Sequence, residues 1–365
     1  GGDEENWMWP RHTGDFTLFR IYAGPDNKPA DYAANNKPYE APQFFTLNAG
    51  GIKEGDFTMV YGFPGTTNEY ISSFALRQVV DINDPIAIEA RTIRLKMWSK
   101  AMDADRNIFL KYTAKRATVA NGWKKWQGEV KGLQMNDVTG KKMDYEQNFV
   151  TWANKNESLP YARTLIPQMK SNTAGVEKLL AQEQYIKEAV LGVELVQQAS
   201  IAEKMAAVLR TNVSIEMKKD SLGKLINAQE AFYKNYDAGT DKRVFVELMP
   251  LWIRQCAGSI PNSIMQTFQS HNANASSWAE EIYGQSMFVS FDKLKGWAAT
   301  GGDTTALLND PAWKLYETIS RHRKDKIQKV LAGATTEMKY LERLYMKSQM
   351  VYDTKIVFYP DAKLT

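Results

Sequence analysis

From about residue 68 onward, apolar side chains recur at spacings of three and four, the interval that gathers them on one face of an α-helix. The pattern runs through NDPIAIEARTIRLKMWSK, VEKLLAQEQYIKEAVLGVELVQQASIAEKMAAVLR, LGKLINAQEAFYKNY, DKRVFVELMPLWIRQC and the long AWKLYETISRHRKDKIQKVLAGATTEMKYLERLYMKSQMV. Asn83 and Pro85 predict a helix start, since an amide can cap the first free N–H groups and a proline in the first turn has none to lose. GSIPNS and ATGGDTT predict loops. The expectation is an α-helical domain over residues 68–352.

A different pattern occupies residues 1–67. DFTLFRIYAG alternates in part, GDFTMVYGFPG is a short apolar run closed by Gly and Pro, and Pro and Asn punctuate the stretch between them. Two strands joined by a long loop cannot bury a sheet by themselves, so this segment calls for partner strands. The residues after Tyr352, DTKIVFYPDAKLT, leave helical spacing and predict a strand over residues 353–365. The fold class expected is therefore mainly α within α+β.

Composition narrows the picture only slightly. With 365 residues and 44% apolar content the chain can build a substantial core. A net charge of +4 from 46 basic and 42 acidic residues, interleaved throughout, argues against nucleic acid as a partner. No apolar run is long enough to span a bilayer. The single cysteine, Cys256, reads as a buried and inert thiol. Three scattered histidines and one cysteine supply no metal-ligand spacing, and no phosphate-binding loop is present, so neither a metal nor a cofactor is expected. His271 and His322 lie in polar surroundings and read as solvated.

Candidate chemistry concentrates in NWMWPRHTGD, Asn6 to Asp15. Asn6 offers an amide that donates and accepts, Trp7 and Trp9 offer rigid apolar walls, and Pro10 stiffens the turn between them. The same residues could form a tight turn held by aromatic packing and a salt-bridged Arg11. Asp15 precedes the apolar FTLF and stands at a strand entrance. There it could orient an imidazole, as the acid of a Ser-His-Asp triad does, or simply bond the backbone of its own turn. His12 is a poor base for it, and no Gly-x-Ser-x-Gly nucleophile loop is present. In the helical region, Asn121 stands beside Gly122, with Trp123 and Trp126 three apart. A tryptophan pair at that interval usually packs in a core, yet an asparagine beside a tryptophan also repeats the Asn6–Trp7 arrangement.

GGDEENWMWPRHTGDF, YGFPGTTNEY and NGWKKWQG together resemble the bacterial dipeptidyl-peptidase 7 and 11 family of serine exopeptidases, along essentially the whole chain. The resemblance implies a chymotrypsin-like double β-barrel with a large α-helical domain inserted in its sequence, residues 1–67 and 353–365 belonging to the barrel. It implies homodimers in the periplasm or at the outer membrane of Gram-negative bacteria, releasing dipeptides from peptides with a free N-terminus. Residue by residue, Asp15 matches the triad aspartate, Asn6 and Trp7 match positions that bind the substrate's α-amino group, Asn121 matches another member of that clamp, and Arg11 falls in the same block. The catalytic histidine would precede Gly1 and the serine would follow Thr365, so these residues read as the central part of a longer enzyme that is inactive alone. Preference for an apolar or an acidic second substrate residue would be set outside this stretch. The alternative is a stand-alone helical module whose NWMW and NGWKKW aromatics wall a peptide or protein ligand.

Overall fold

The computed structural model describes residue 7, residues 17–59 and residues 68–358. The chain divides into two compact units, Gly1–Thr67 with Asp361–Thr365, and Asn68–Pro360.

In the first unit the described residues hold one antiparallel pair, β1 (Tyr22–Ala23) against β2 (Lys37–Pro38), with Tyr22 opposite Pro38. Leu18, Phe19, Phe44, Phe45, Leu47 and Phe57 are all exposed. The longer strands expected from the alternating runs are absent among the described residues. Alternation marks a potential strand, but a ladder needs a neighbour to bond, and here only two residues on each side find one.

The second unit is helical. Helix α1 (Ser73–Gln78) starts at Ser72, whose hydroxyl accepts from the Ala75 N–H at 3.2 Å. A π-helical turn, Val79–Asn83, then carries the backbone straight into α2 (Asp84–Ala104). Asn83 is therefore inside a continuous helical stretch and makes no capping bond, contrary to the sequence expectation, although Pro85 does sit in the first turn of α2. Asp105 breaks the helix in extended conformation and caps α3 (Arg106–Met135), its carboxylate accepting from the Asn107 N–H at 2.7 Å. Helices α2 and α3 thus form a hairpin with extensive mutual packing.

Next come α4 (Val138–Lys155) and α5 (Ala162–Tyr185), then a second π-turn, Ile186–Val190. Short helices follow: α6 (Glu194–Gln198), α7 (Ala202–Leu209), α8 (Ile215–Asn227) and α9 (Glu230–Lys234). Helix α10 (Ala238–Gln255) is largely buried and packs against α12 (Ala275–Gln285), while α11 (Asn262–Ser270), α13 (Phe291–Ala299), α14 (Thr304–Asn309) and α15 (Pro311–His322) add side chains to the same core. A third π-turn, Arg323–Gln328, leads into α16 (Lys329–Tyr352). Asp353 to Phe358 then turn without strand pairing.

The main core joins Trp98 of α2, Tyr112 of α3, Phe245 and Trp252 of α10, Trp278 of α12 and Trp313 of α15. A smaller one forms where α4, α5 and α16 meet, around Phe149, Leu165, Met169 and Tyr345. Cys256 is buried at the end of α10, and burial pushes its thiol up to about 11, far from a reactive thiolate. No helix among the described residues is long and apolar enough to cross a membrane.

Candidate functional site

Asn6, Arg11 and Asp15 lie outside the described residues. Trp7 is exposed and turns the backbone through the left-handed region at φ 61°, a conformation few bulky residues adopt. It belongs to the first unit, whereas Asn121 belongs to the second.

Asn121 is exposed on α3, and its backbone is fixed from α2. Arg91 of α2 donates from Nη1 to the Val119 carbonyl at 3.3 Å and closes a two-point ion pair with Glu188 of the second π-turn, at 2.8 and 2.9 Å. Its guanidinium lies 4.3 Å over the Trp126 ring. The neighbouring Trp123 donates its indole N–H to Thr92 Oγ1 of α2 at 2.8 Å. Both tryptophans of NGWKKW therefore clasp α3 to α2, which is the packing role expected of such a pair rather than that of ligand walls. One charged residue, Arg91, ties α2, α3 and the π-turn together within two residues of Asn121 in the chain.

Behind this clasp lies a buried polar network that the sequence pattern did not disclose. Asp241 of α10 is fully buried and accepts from the N–H groups of Glu194 and Leu195, each at 2.8 Å, and from the Tyr283 hydroxyl at 2.7 Å. It thereby caps the start of α6 from another helix. Burial, with Glu194 close by, raises the Asp241 carboxyl, while the hydrogen bonds from Tyr283 and from the two N–H groups pull the other way. Glu194 in turn accepts from the Tyr112 hydroxyl at 2.6 Å and pairs with Lys115. Gly192 permits the tight turn before α6, because a β-carbon there would collide with the Glu188 carbonyl oxygen.

A second constellation sits at the α11–α12 corner. His271 Nδ1 is 3.0 Å from Ser277 Oγ, and Nε2 is 2.7 Å from Glu281 Oε2. The imidazole is shielded rather than solvated, its side chain only 13% exposed, which corrects the sequence reading. The order of Ser, His and Glu resembles a hydrolytic relay, but the N–H groups of Ser276 and Ser277 are already bonded to Asn274 Oδ1, at 2.9 and 3.1 Å. They are thus not available to a developing oxyanion, and the trio acts as a corner clasp. His322 is half-buried, and burial with the Lys326 charge lowers its pKa. No group of acidic, histidine or cysteine side chains suited to a metal ion occurs among the described residues.

The peptidase S46 family pattern matches residues 1–365. The chain belongs to the peptidase S46 family. Similar relatives include an Asp/Glu-specific dipeptidyl-peptidase from Flavobacterium psychrophilum, 32% identical over 374 residues, covering all of this chain and 51% of the relative. Another is a dipeptidyl-peptidase 7 from Porphyromonas endodontalis, 32% identical over 324 residues, covering 87% of this chain and 38% of the relative. Among solved structures, Porphyromonas endodontalis DPP11 in complex with the dipeptide Arg-Glu superposes with a TM-score of 0.80 at 27% identity, over 100% of this chain and 52% of that one. This S46 chain is mostly helical, and it spans about half the length of the relatives it matches.

Proposed function

We propose that this S46 chain is the helical-domain part of a serine dipeptidyl-peptidase that releases dipeptides from the N-termini of peptides. The observation that carries the reading is the family match along residues 1–365, joined to relatives that are named dipeptidyl-peptidases. Residues 1–67 and 353–365 belong to a chymotrypsin-like double barrel, and the residues between them form the inserted helical domain. Asp15 orients the triad histidine, and that histidine and the nucleophilic serine are supplied outside these 365 residues. The enzyme works as a homodimer in the periplasm or at the outer membrane of a Gram-negative bacterium.

Asn6, Trp7, Arg11 and Asn121 receive the free α-amino end of the substrate. An ammonium group can donate to amide oxygens and lie against an indole face, so this residue set suits a cation at the end of a chain. With the amine fixed and the helical domain covering the cleft beyond two residues, binding energy holds the second peptide bond against the nucleophile. The exposed position of Asn121 on a helix braced by Arg91 supports this role, since a clamp residue gains from a rigid backbone.

The test uses dipeptidyl chromogenic substrates. In the full-length enzyme, Asn121→Ala should raise KM for substrates with a free N-terminus by about tenfold, the loss of one charge-assisted bond. N-acetylated substrates should be poor for both forms. The 365-residue chain alone should be inert. Sustained turnover by it that disappears in Asp15→Ala would overturn the assignment of the serine to residues outside the chain.

A further inference from the structure

Asn121 stands on a stretch of α3 that is seated against α2 at four positions of one helical face. Val119, Gly122, Trp123 and Trp126 follow one another at intervals of three, one and three, the spacing that gathers residues on a single side of a helix. The Val119 carbonyl accepts from Arg91 Nη1 at 3.3 Å, Gly122 leaves the space beside the same guanidinium, the Trp126 ring lies 4.3 Å from it, and Trp123 donates to Thr92 Oγ1 at 2.8 Å. Asn121 is exposed and, at about 100° per residue, projects about 150° from the middle of that face. The direction of its amide therefore depends on how α3 is rotated against α2.

Three of those four contacts belong to one side chain. Arg91 meets Val119, Gly122 and Trp126, while its Nε and Nη2 close on Glu188 of the second π-turn at 2.8 and 2.9 Å. The side chains of this ion pair are 19% and 11% exposed, so the guanidinium is fixed from the π-turn and from α3 at once. A side-chain amide lies roughly 5–6 Å from its helix axis, and a rotation of about 10° moves it by about 1 Å. A displacement of that size is enough to spoil a hydrogen bond that orients a substrate.

We propose that Arg91 is a positioning residue for the substrate's α-amino group: it sets the rotation of α3 and, through it, the point at which the Asn121 amide meets the amine. The proposal rests on the reading of Asn121 as part of the amine clamp. Arg91 itself does not touch the substrate, since it lies on the far side of α3, its charge is met by Glu188, and a guanidinium would repel an ammonium group. Its loss should therefore weaken binding of the amine and leave the chemical step alone, the pattern of a raised KM at constant kcat.

Steady-state kinetics of the full-length enzyme with dipeptidyl chromogenic substrates test this. Arg91→Lys keeps the charge beside Glu188 but loses the fork; it should raise KM about fivefold and leave kcat within about twofold. Arg323→Lys, which opens a comparable fork on Glu183, is the control for general loosening and should leave KM unchanged. In Arg91→Lys/Asn121→Ala, KM should be no higher than in Asn121→Ala alone, because a residue that acts through Asn121 has nothing left to position. Gly122→Ala, which crowds the same guanidinium from α3, should raise KM in the same way and decides the matter if Arg91→Lys fails to fold. An unchanged KM in Asn121→Ala would sink the clamp and this proposal with it. If Asn121→Ala raises KM but Arg91→Lys does not, if Arg323→Lys raises it equally, or if the losses in the double variant multiply, the clamp stands and the positioning role of Arg91 is overturned.

Discussion

Gly122 of α3 and the Arg91 guanidinium of α2 adjoin so closely that a β-carbon at Gly122 would stand 2.6 Å from Nη1. Arg91 cannot simply swing aside, because Glu188 and the Trp126 face hold it. A glycine in mid-helix costs about 1 kcal/mol against alanine, so its presence here reflects the close approach of the two helices.

Gly122→Ala should therefore destabilise the protein despite the better helix former. The overpacking cost of about 1–3 kcal/mol exceeds the propensity gain of about 1 kcal/mol, leaving a net loss of about 1 kcal/mol. Urea unfolding followed by circular dichroism measures this directly; a stabilised variant would show that Arg91 relaxes freely.

Across 140 residues of sequence, Arg323 grips Glu183 with Nε and Nη2, at 2.6 to 2.9 Å, and joins the third π-turn to α5. Both side chains are largely buried, 22% and 10% exposed. The carboxylate holds the Arg323 pKa above its usual value, chiefly through that hydrogen bond. Glu183→Ala strands a charge and should cost about 3 kcal/mol, whereas Arg323→Lys keeps the charge, loses the fork and should cost about 1–2 kcal/mol. Equal losses in the two variants would mean that fork geometry contributes nothing.

Much of the helical unit was legible because its apolar faces repeat at helical spacing, and the buried Phe245, Leu248, Met249 and Trp252 of α10 show that face in full. What escaped has physical causes. The three π-turns insert residues into otherwise continuous helices, so Asn83 looks like a cap when its position is interior. Asp241 reads as one more charged residue near the start of α10. Only the fold shows it meeting the N–H groups of Glu194 and Leu195, 47 and 46 positions earlier. His271 reads as solvated because its partners, Ser277 and Glu281, become neighbours only when α12 turns back on α11. Of the site residues expected from resemblance, Asn121 stands exposed on a braced helix and Trp7 on a left-handed turn, while Asn6, Arg11 and Asp15 fall outside the described residues.

The His271 clasp makes a separate prediction. Removing its bonds to Ser277 and Glu281 in His271→Ala should lower stability by about 1 kcal/mol, the typical net worth of a partly exposed hydrogen-bonded pair. In the full-length enzyme proposed above, peptidase turnover should be unchanged, since the N–H groups that would stabilise an oxyanion are committed to Asn274. A large fall in turnover with intact folding would assign the trio a catalytic role after all.

Asp84 sets a pH dependence whose sign follows from its surroundings. The residue is 5% exposed, and its Oδ2 has no hydrogen-bond partner. Burial is the main cause of its raised pKa, followed by the Glu129 charge, with Lys125 opposing; the result is about 7 against an ordinary 3.8. No helix N-terminus relieves it, because the π-turn continues the helix through this point and the Asp84 N–H bonds the Val79 carbonyl. A carboxyl with a raised folded-state pKa favours folding while protonated. That contribution is full below about pH 4 and is lost as pH rises through about 7. Asp84→Asn keeps the shape and removes the charge, so it should stabilise the protein at pH 8 by about 1–2 kcal/mol. The gain should shrink steadily between pH 7 and pH 5, where the wild-type carboxyl takes up its proton. Asp241 titrates in the same sense but is present in both proteins, so it cancels in the difference. Urea midpoints of the two forms at pH 5, 6, 7 and 8 provide the measurement; a constant difference across that range would place the titration of Asp84 elsewhere.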